Sequence, residues 1–134
     1  MSARSSVQLL DDASLLVFFD ERRYLVNCGE GTQRACAQHA VRLARVSCVA
    51  LTRLGPWRTH VGGLPGLLST LGDAALPADV VLAGPPHTAR FVGALRAFLR
   101  RTALALAVHE HPLLGQGDDD GAPRVLFTDG HVNI

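Results

Sequence analysis

The stretch that decides the fold is residues 51–68, which read LTRLGPWRTHVGGLPGLL. The short apolar run 48–51 leads into it as a buried strand does, and a loop with Gly55 and Pro56 follows. After Gly62 and Gly63, apolar residues recur at helical spacing: Leu64, Leu67, Leu68 and Leu71. A strand, a loop, a glycine-rich turn and a helix in this order are typical of a site at the carboxyl end of a strand, because loop backbone and helix amino terminus converge there.

This loop has the predicted backbone arrangement of a metal site but not the side chains of one. In metal hydrolases such a loop carries histidine and aspartate ligands, because zinc needs clustered imidazoles and carboxylates. Here the polar and aromatic side chains are Arg53, Trp57, Arg58 and a single His60. One histidine does not make a zinc site, so the loop indicates the scaffold of a site without its metal ligands.

Length and composition set the outer bounds. A chain of 134 residues with 48% apolar residues is of the size and composition of one globular domain rather than of a disordered chain. No segment approaches the roughly 20 apolar residues of a membrane helix, and we predict no membrane partner. All 13 basic residues are arginine; arginine suits phosphate contacts, and a codon bias explains the same observation. Three cysteines without C-x-x-C spacing, Cys28, Cys36 and Cys48, favour buried reduced thiols in an intracellular protein.

The first part of the chain predicts a meander of short strands. Strands are expected at residues 7–10, 14–19 and 24–26, with turns at 11–12 and 20–22. Thr32 is predicted to cap a helix that runs to about residue 40.

The rest of the chain alternates strands and helices. We expect a strand at 46–51, a helix that Gly72 ends, a strand at 79–84, and a helix that begins at Gly84-Pro85-Pro86. One face of this last helix is apolar and is opposed by arginines; the face comprises Phe91, Val92, Leu95, Phe98 and Leu99, and the arginines include Arg90 and Arg100. A strand at 103–108, a solvated loop at 115–122 and a strand at 124–128 follow. The predicted fold is α/β (α+β): a mixed sheet with an amino-terminal strand meander and helices packed on it.

Three segments resemble one family. Residues 23–34, RYLVNCGEGTQR, are similar to the RYLFNCGEGTQR motif of ribonuclease Z, also called tRNase Z. Residues 51–53 with 62–71 resemble the amino-terminal half of the long form of that enzyme, and residues 82–86, LAGPP, resemble the L-x-GPP that follows. Together they span about residues 7–101. The positions that match the family motifs are Asn27, Cys28, Gly29, Glu30, Gly31, Gln33, Arg34, Thr52, Gly62, Gly63, Leu64, Pro65 and Gly66, and we expect them to be architectural.

The resemblance implies a metallo-β-lactamase fold and removal of the 3′ trailer from precursor tRNA with zinc. Long forms of the family have a catalytic carboxy-terminal half, which binds zinc, and an amino-terminal half that has lost the ligands. Residues 1–134 are then expected to be a single, incomplete metallo-β-lactamase-like domain from a longer or truncated protein. Its implied partners are the catalytic half and precursor tRNA, and the implied location is the nucleus, the mitochondrion or both.

Residue by residue, the metal ligands of the family are missing. Catalytic members have Thr-His-x-His-x-Asp-His before Gly-Leu. Thr52 matches, but Arg53 stands at the first histidine and Gly55 at the second, and the interval to Gly63 is two residues longer. We therefore expect no catalytic residue, no metal ligand and no activity in this chain alone. The glycine-rich loop that the family has between its first two strands is also altered here.

Several interpretations remain open at the level of the sequence. Arg22, Arg23, Arg53 and Arg58 are candidate RNA contacts; alternatively, the first two lie in a solvated turn and the last two pair with acids such as Asp73 or Asp79. A free-standing hydrolase with a remodelled site around His60, His109 and His111 is a second functional hypothesis. A truncated interaction module without an RNA role is a third.

Overall fold

The computed structural model describes residues 4–73, 79–97, 105–112 and 128. The strands are β1 (Ser5–Leu9), β2 (Leu15–Phe19), β3 (Arg22–Val26), β4 (Val46–Ala50), β5 (Asp79–Gly84) and β6 (Ala105–Glu110). The helices are α1 (Thr32–Gln38), α2 (Leu64–Gly72) and α3 (Thr88–Leu95), with a 3-10 turn at Leu43–Arg45 and a π-helical turn at Trp57–Val61. No helix among the described residues is long and apolar enough to cross a membrane.

The six strands form one mixed sheet in the order β1-β2-β3-β4-β5-β6. β1, β2 and β3 are antiparallel because short turns join them, and β3 to β6 are parallel. Of the helices, α1 follows β3, α2 follows β4 and α3 follows β5, as parallel neighbours require. The predicted mixed sheet with an amino-terminal meander and packed helices is confirmed.

The main core lies on one face of this sheet. Leu16, Leu25, Val49 and Leu82 are aligned across four neighbouring strands, and each is buried. The leucines of α2 belong to the same buried cluster, as their helical spacing predicted: Leu64, Leu67, Leu68 and Leu71. Full burial of one such side chain contributes about 1.5–3 kcal/mol, so the contact of α2 with the sheet is a major source of stability.

The hairpin between β2 and β3 corrects one prediction. Its turn consists of Asp20 and Glu21, whereas Arg22 and Arg23 are strand residues. The Arg23 guanidinium lies 4.5 Å from the centre of the Phe18 ring, and its Nη1 donates to the carbonyl of Asp20 at 3.1 Å. Arg23 therefore packs on its own hairpin, because its cross-strand partner in the register is Phe18.

The beginnings of two helices also differ from the prediction. Gly31, at φ 83°, occupies the cap position of α1, and Thr32 is the first helical residue with no cap bond to the backbone. α1 ends at Gln38 rather than near residue 40. α3 begins at Thr88, after Pro85 and Pro86 rather than on them.

Of the remaining strand and helix predictions, some match the structure and others lie outside the described residues. The predicted strand at 79–84 matches β5, Gly72 is the last residue of α2, and β6 runs two residues past its predicted end, to Glu110. The predictions for Phe98, Leu99, Arg100, the loop at 115–122 and the strand at 124–128 other than Thr128 lie outside the described residues.

Candidate functional site at the carboxyl ends of the parallel strands

The loops that follow β3, β4 and β5 meet at one edge of the sheet, because these strands are parallel. Backbone hydrogen bonds join the first two loops. Cys28 N–H donates to the carbonyl of His60 at 2.8 Å, and Glu30 N–H donates to that of Arg58 at 2.7 Å. Gly63 N–H donates back to the carbonyl of Cys28 at 3.0 Å. The motif after β3 is thus bound along its length to the loop between β4 and α2.

Asn27, the first residue after β3, holds three segments of this site together. Its φ of 59° lies in the left-handed region, which asparagine tolerates better than most residues. Its side-chain amide donates to the carbonyl of Ala13 at 3.0 Å, and its Oδ1 accepts from the Thr52 N–H at 2.9 Å and the Thr52 hydroxyl at 3.0 Å. One buried side chain therefore ties the β1–β2 loop and the end of β4 to the end of β3.

A small polar cluster lies beneath Gly29. Ser14 is fully buried; its Oγ accepts from the Gly29 N–H at 3.3 Å and lies 3.4 Å from the Thr32 hydroxyl. Asp11 Oδ1 accepts from the Ser14 N–H at 2.8 Å. These contacts satisfy the buried polar groups and order the short β1–β2 loop, which the sequence had indicated as altered from the family pattern.

Close backbone approach explains the glycines of the site. A Cβ on Gly29 would lie 2.7 Å from the carbonyl oxygen of Thr59, and a Cβ on Gly62 would lie 2.8 Å from that of Trp57. The Gly29 carbonyl oxygen fills the place of a Cβ on Gly63. No residue with a side chain fits at these positions without displacing the backbone.

The remaining motif residues join the two helices that follow the loops. Gln33 of α1 donates from its side-chain amide to the Thr70 hydroxyl of α2, and that hydroxyl donates to the Gly66 carbonyl at 3.0 Å. Leu64 is buried at the start of α2 with Pro65 in its first turn. Arg34 is exposed.

The thiol of Cys28 is buried inside this site. Burial raises its pKa from 9.0 to about 12, which outweighs the opposing effect of a hydrogen bond with Thr32. Burial also raises the pKa of the Cys36 thiol. Neither these two cysteines nor the buried Cys48 is part of a disulfide. A thiol with so high a pKa is protonated at neutral pH and is therefore a poor nucleophile. This fits a structural role.

The loop between β4 and α2 exposes two arginines. Arg53 and Arg58 are exposed, and neither makes an ion pair with an acidic side chain among the described residues. The alternative pairing with Asp73 or Asp79 is not found among the described residues. His60 is half-buried, with its Nδ1 at 2.7 Å from the Thr59 hydroxyl.

Trp57 and the π-helical turn are features that the sequence did not predict. The Gly62 N–H donates to the Trp57 carbonyl at 2.6 Å, which closes the wide turn. Trp57 is 48% exposed, and its ring contacts Phe91 of α3 edge to face, with centroids 6.0 Å apart. The two extra residues between Thr52 and Gly63 were the available signal for an altered backbone here.

The histidines at the end of β6 do not form a ligand set. Glu110 Oε1 accepts from the Ala89 N–H at 2.8 Å, so this carboxylate is bound to the first turn of α3. His109 is exposed in the strand, and His111 Nδ1 lies 3.2 Å from the carbonyl of the next residue, Pro112. Within the part of the chain that the structure describes, no three His, Cys, Asp or Glu side chains are placed to hold a metal ion. Among residues 52–63, His60 is the one side chain of these four types.

Comparison with solved structures identifies the fold. The chain superposes on the human tRNase Z short form (ELAC1) with a TM-score of 0.75 and 20% identity, over 94% of this chain and 53% of that one. A diphosphatase from the PhnP family matches with a TM-score of 0.53 and 15% identity, over 75% of this chain and 36% of that one. The chain therefore shares the fold of the human tRNase Z short form.

Sequence comparison gives the family. Residues 6–63 match the family model described as tRNase Z endonuclease. The chain is 41% identical over 103 residues to human zinc phosphodiesterase ELAC protein 2, and 37% identical over 125 residues to the mitochondrial tRNase Z TRZ3 of Arabidopsis thaliana. These matches cover 75% and 91% of this chain, and 12% and 13% of the relatives. Drosophila melanogaster mitochondrial ribonuclease Z is 44% identical over 87 residues, which is 65% of this chain and 11% of that protein.

Over the part that these matches cover, the chain belongs to the tRNase Z family. It spans about one eighth of the length of the curated relatives that it matches.

Proposed function

We propose that this chain is a portion of the amino-terminal, non-catalytic half of a long-form tRNase Z. In this role it packs against the catalytic half and helps to position precursor tRNA for removal of the 3′ trailer. Residues 1–134 would be a single, incomplete metallo-β-lactamase-like domain. The related proteins named as mitochondrial support a mitochondrial location, and a nuclear location is a further possibility from the family resemblance.

One observation carries this proposal. Residues that match the family motifs bind one another, while the resemblance places Arg53 and Gly55 at the first two ligand positions. Asn27 accepts a hydrogen bond from Thr52, and Gly63 packs on Gly29. A retained scaffold without ligands fits a domain whose task is to bind rather than to hydrolyse. Zinc would then reside in the catalytic half.

The test combines zinc content with reconstitution. The purified chain is measured by elemental analysis and incubated with precursor tRNA, alone and with a catalytic tRNase Z half. We expect zinc near zero and no cleavage by the chain alone, and a lower KM for precursor tRNA when the catalytic half is supplemented. One or two zinc ions per chain together with cleavage would overturn the proposal. Absence of binding to both tRNA and the catalytic half would favour an interaction module without an RNA role.

A free-standing hydrolase is the other hypothesis from the sequence. Of its three proposed histidines, His60, His109 and His111, the last two flank a carboxylate that is already bound to α3. Zinc-dependent esterase activity that His109→Ala abolishes would establish it instead.

A further inference from the structure

We infer that Trp57, together with Arg53 and Arg58, forms a binding platform for single-stranded RNA. One unpaired base stacks on the exposed indole, and the two arginines contact phosphates on either side of that base. The choice of RNA as ligand rests on the proposed function, and the inference adds the site, the strandedness of the RNA and the residues that bind it.

Trp57 has the geometry of a stacking surface. Nearly half of its surface is exposed, although the ring is held in place on two sides. Phe91 contacts it edge to face at an interplanar angle of 77°. On the other side its Nε1 is 2.9 Å from the place of a Cβ on Gly62, so only a glycine lets the ring lie this close to the backbone. A ring that is already immobilised loses little entropy when a base stacks on it.

The charge around this ring favours an anionic strand. Arg53 and Arg58 lie in the same loop, are exposed, and have no acidic partner among the described side chains. Glu110 is the acidic residue at the end of β6, and its carboxylate accepts a hydrogen bond from the backbone of α3. Glu30 is the exception: its Cγ is 2.7 Å from the place of a Cβ on Gly62, so it lies beside Trp57 and opposes a phosphate.

The composition of the surface distinguishes RNA from a protein partner. The core of a protein interface is a contiguous apolar patch with few charged residues other than arginine. The other exposed large apolar side chains in the described structure are Val7 and Leu9, on the edge strand β1. Trp57 instead contacts Phe91 of α3, and Arg53 and Arg58 lie four and one residues from it in the sequence. An isolated aromatic ring among arginines is the pattern of single-strand binding sites.

The experiment uses the intrinsic fluorescence of the chain, because Trp57 is its single tryptophan. The full chain is titrated with an unstructured 12-nucleotide RNA and with the duplex of the same sequence. We expect the single strand to quench Trp57 and the duplex to leave it largely unquenched. Binding of a labelled copy, followed by anisotropy, is expected to weaken roughly 5- to 150-fold in Trp57→Ala, the loss of one stacked base. Trp57→Phe keeps a ring against Phe91 and is expected to lose less.

The arginines are tested by the salt dependence of binding. The double variant Arg53→Ala/Arg58→Ala is expected to reduce the slope of log K against log salt by roughly 1.4, because each phosphate contact to a single strand contributes about 0.7. Arg42→Ala is the matched control: this exposed arginine precedes β4, whereas Arg53 and Arg58 follow it. Its slope is expected to stay that of the wild type. Glu30→Gln is expected to tighten binding.

The inference would be overturned if the single strand did not quench Trp57, if the duplex quenched it equally, or if the catalytic half quenched it in the absence of RNA. An equal loss of slope in Arg42→Ala would also overturn it. If the chain still lowers the KM of the catalytic half and Trp57→Ala does so equally well, the platform is wrong and the proposed function stands. If the chain neither binds tRNA nor affects the catalytic half, the proposed function itself fails.

Discussion

The carbonyl oxygen of Gly29 occupies the space that a side chain on Gly63 would need. A hydrogen bond joins the two segments at the same place: the Gly63 N–H donates to the Cys28 carbonyl at 3.0 Å. The loop after β3 and the residue before α2 therefore meet backbone to backbone. Two glycines far apart in the sequence set this distance, and it determines how deeply the leucines of α2 reach into the core.

Gly63→Ala is expected to destabilise the chain severely. The added methyl group overlaps a backbone oxygen, which cannot rotate away as a side chain does, so a loss of at least about 1–3 kcal/mol is expected from overpacking. The free energy of unfolding in urea measures it. Gly93→Ala is the control, because a Cβ there meets nothing within 4 Å in the interior of α3. It is expected to stabilise by about 0.5–1 kcal/mol. Similar effects of the two substitutions would disprove the close approach.

Asn27→Ala is expected to cost about 4–5 kcal/mol. The substitution removes three hydrogen bonds, one to Ala13 and two to Thr52, each contributing about 1 kcal/mol, and it places alanine at a left-handed φ at a cost of about 1–2 kcal/mol. Asp20→Ala separates the two effects, since Asp20 has a φ of 53° in an exposed turn. Urea unfolding of both variants should show the larger loss in Asn27→Ala. An equal loss would mean that the Asn27 hydrogen bonds contribute little.

The sequence was informative where structure depends on local pattern. Alternating and helical apolar spacing located the meander, β5 and the buried face of α2, because these elements pack through their own periodicity. The family motifs located the loops at the edge of the sheet. Arg53 and Gly55 stand where the family resemblance implies histidines, and this difference is read from the sequence without any geometry.

Features that depend on distant partners could not be predicted in this way. Thr32 was expected to cap α1, but the hydroxyl faces Ser14, eighteen residues earlier. Arg23 was expected in a turn, yet the register with Phe18 makes it a strand residue. The contact of Trp57 with Phe91 joins two segments whose relative position only the folded sheet defines.

Glu110→Ala is expected to destabilise the chain by about 0.5–2 kcal/mol. The carboxylate accepts a hydrogen bond from the Ala89 N–H in the first turn of α3, where a negative charge is favourable. Glu110→Gln keeps an oxygen acceptor and should retain part of this energy. Glu21→Ala is the comparison, because it breaks only an exposed ion pair with Arg45, whose contribution is expected to be below about 1 kcal/mol. Thermal unfolding ranks the three variants, and equal stability of Glu110→Ala and wild type would contradict the capping role.

Cys28 is expected to make the stability of the chain fall at alkaline pH. Burial raises the pKa of its thiol to about 12 from 9.0. Below pH 9 the thiol is protonated in both states, so its contribution does not change with pH. Between about pH 9 and 12 the unfolded chain releases the proton and the folded chain keeps it. The free energy of unfolding then falls by about 1.4 kcal/mol per pH unit from this group.

Two variants isolate this effect. Cys28→Ala loses packing at neutral pH, but it no longer loses stability through this thiol at alkaline pH. The difference in unfolding free energy between wild type and Cys28→Ala should therefore narrow from pH 8 to pH 11. Val49→Ala removes a buried side chain of the same core without a titrating group, so its difference from wild type should stay constant over that range. A constant difference for Cys28→Ala as well would show that the folded chain ionises this thiol as readily as the unfolded one.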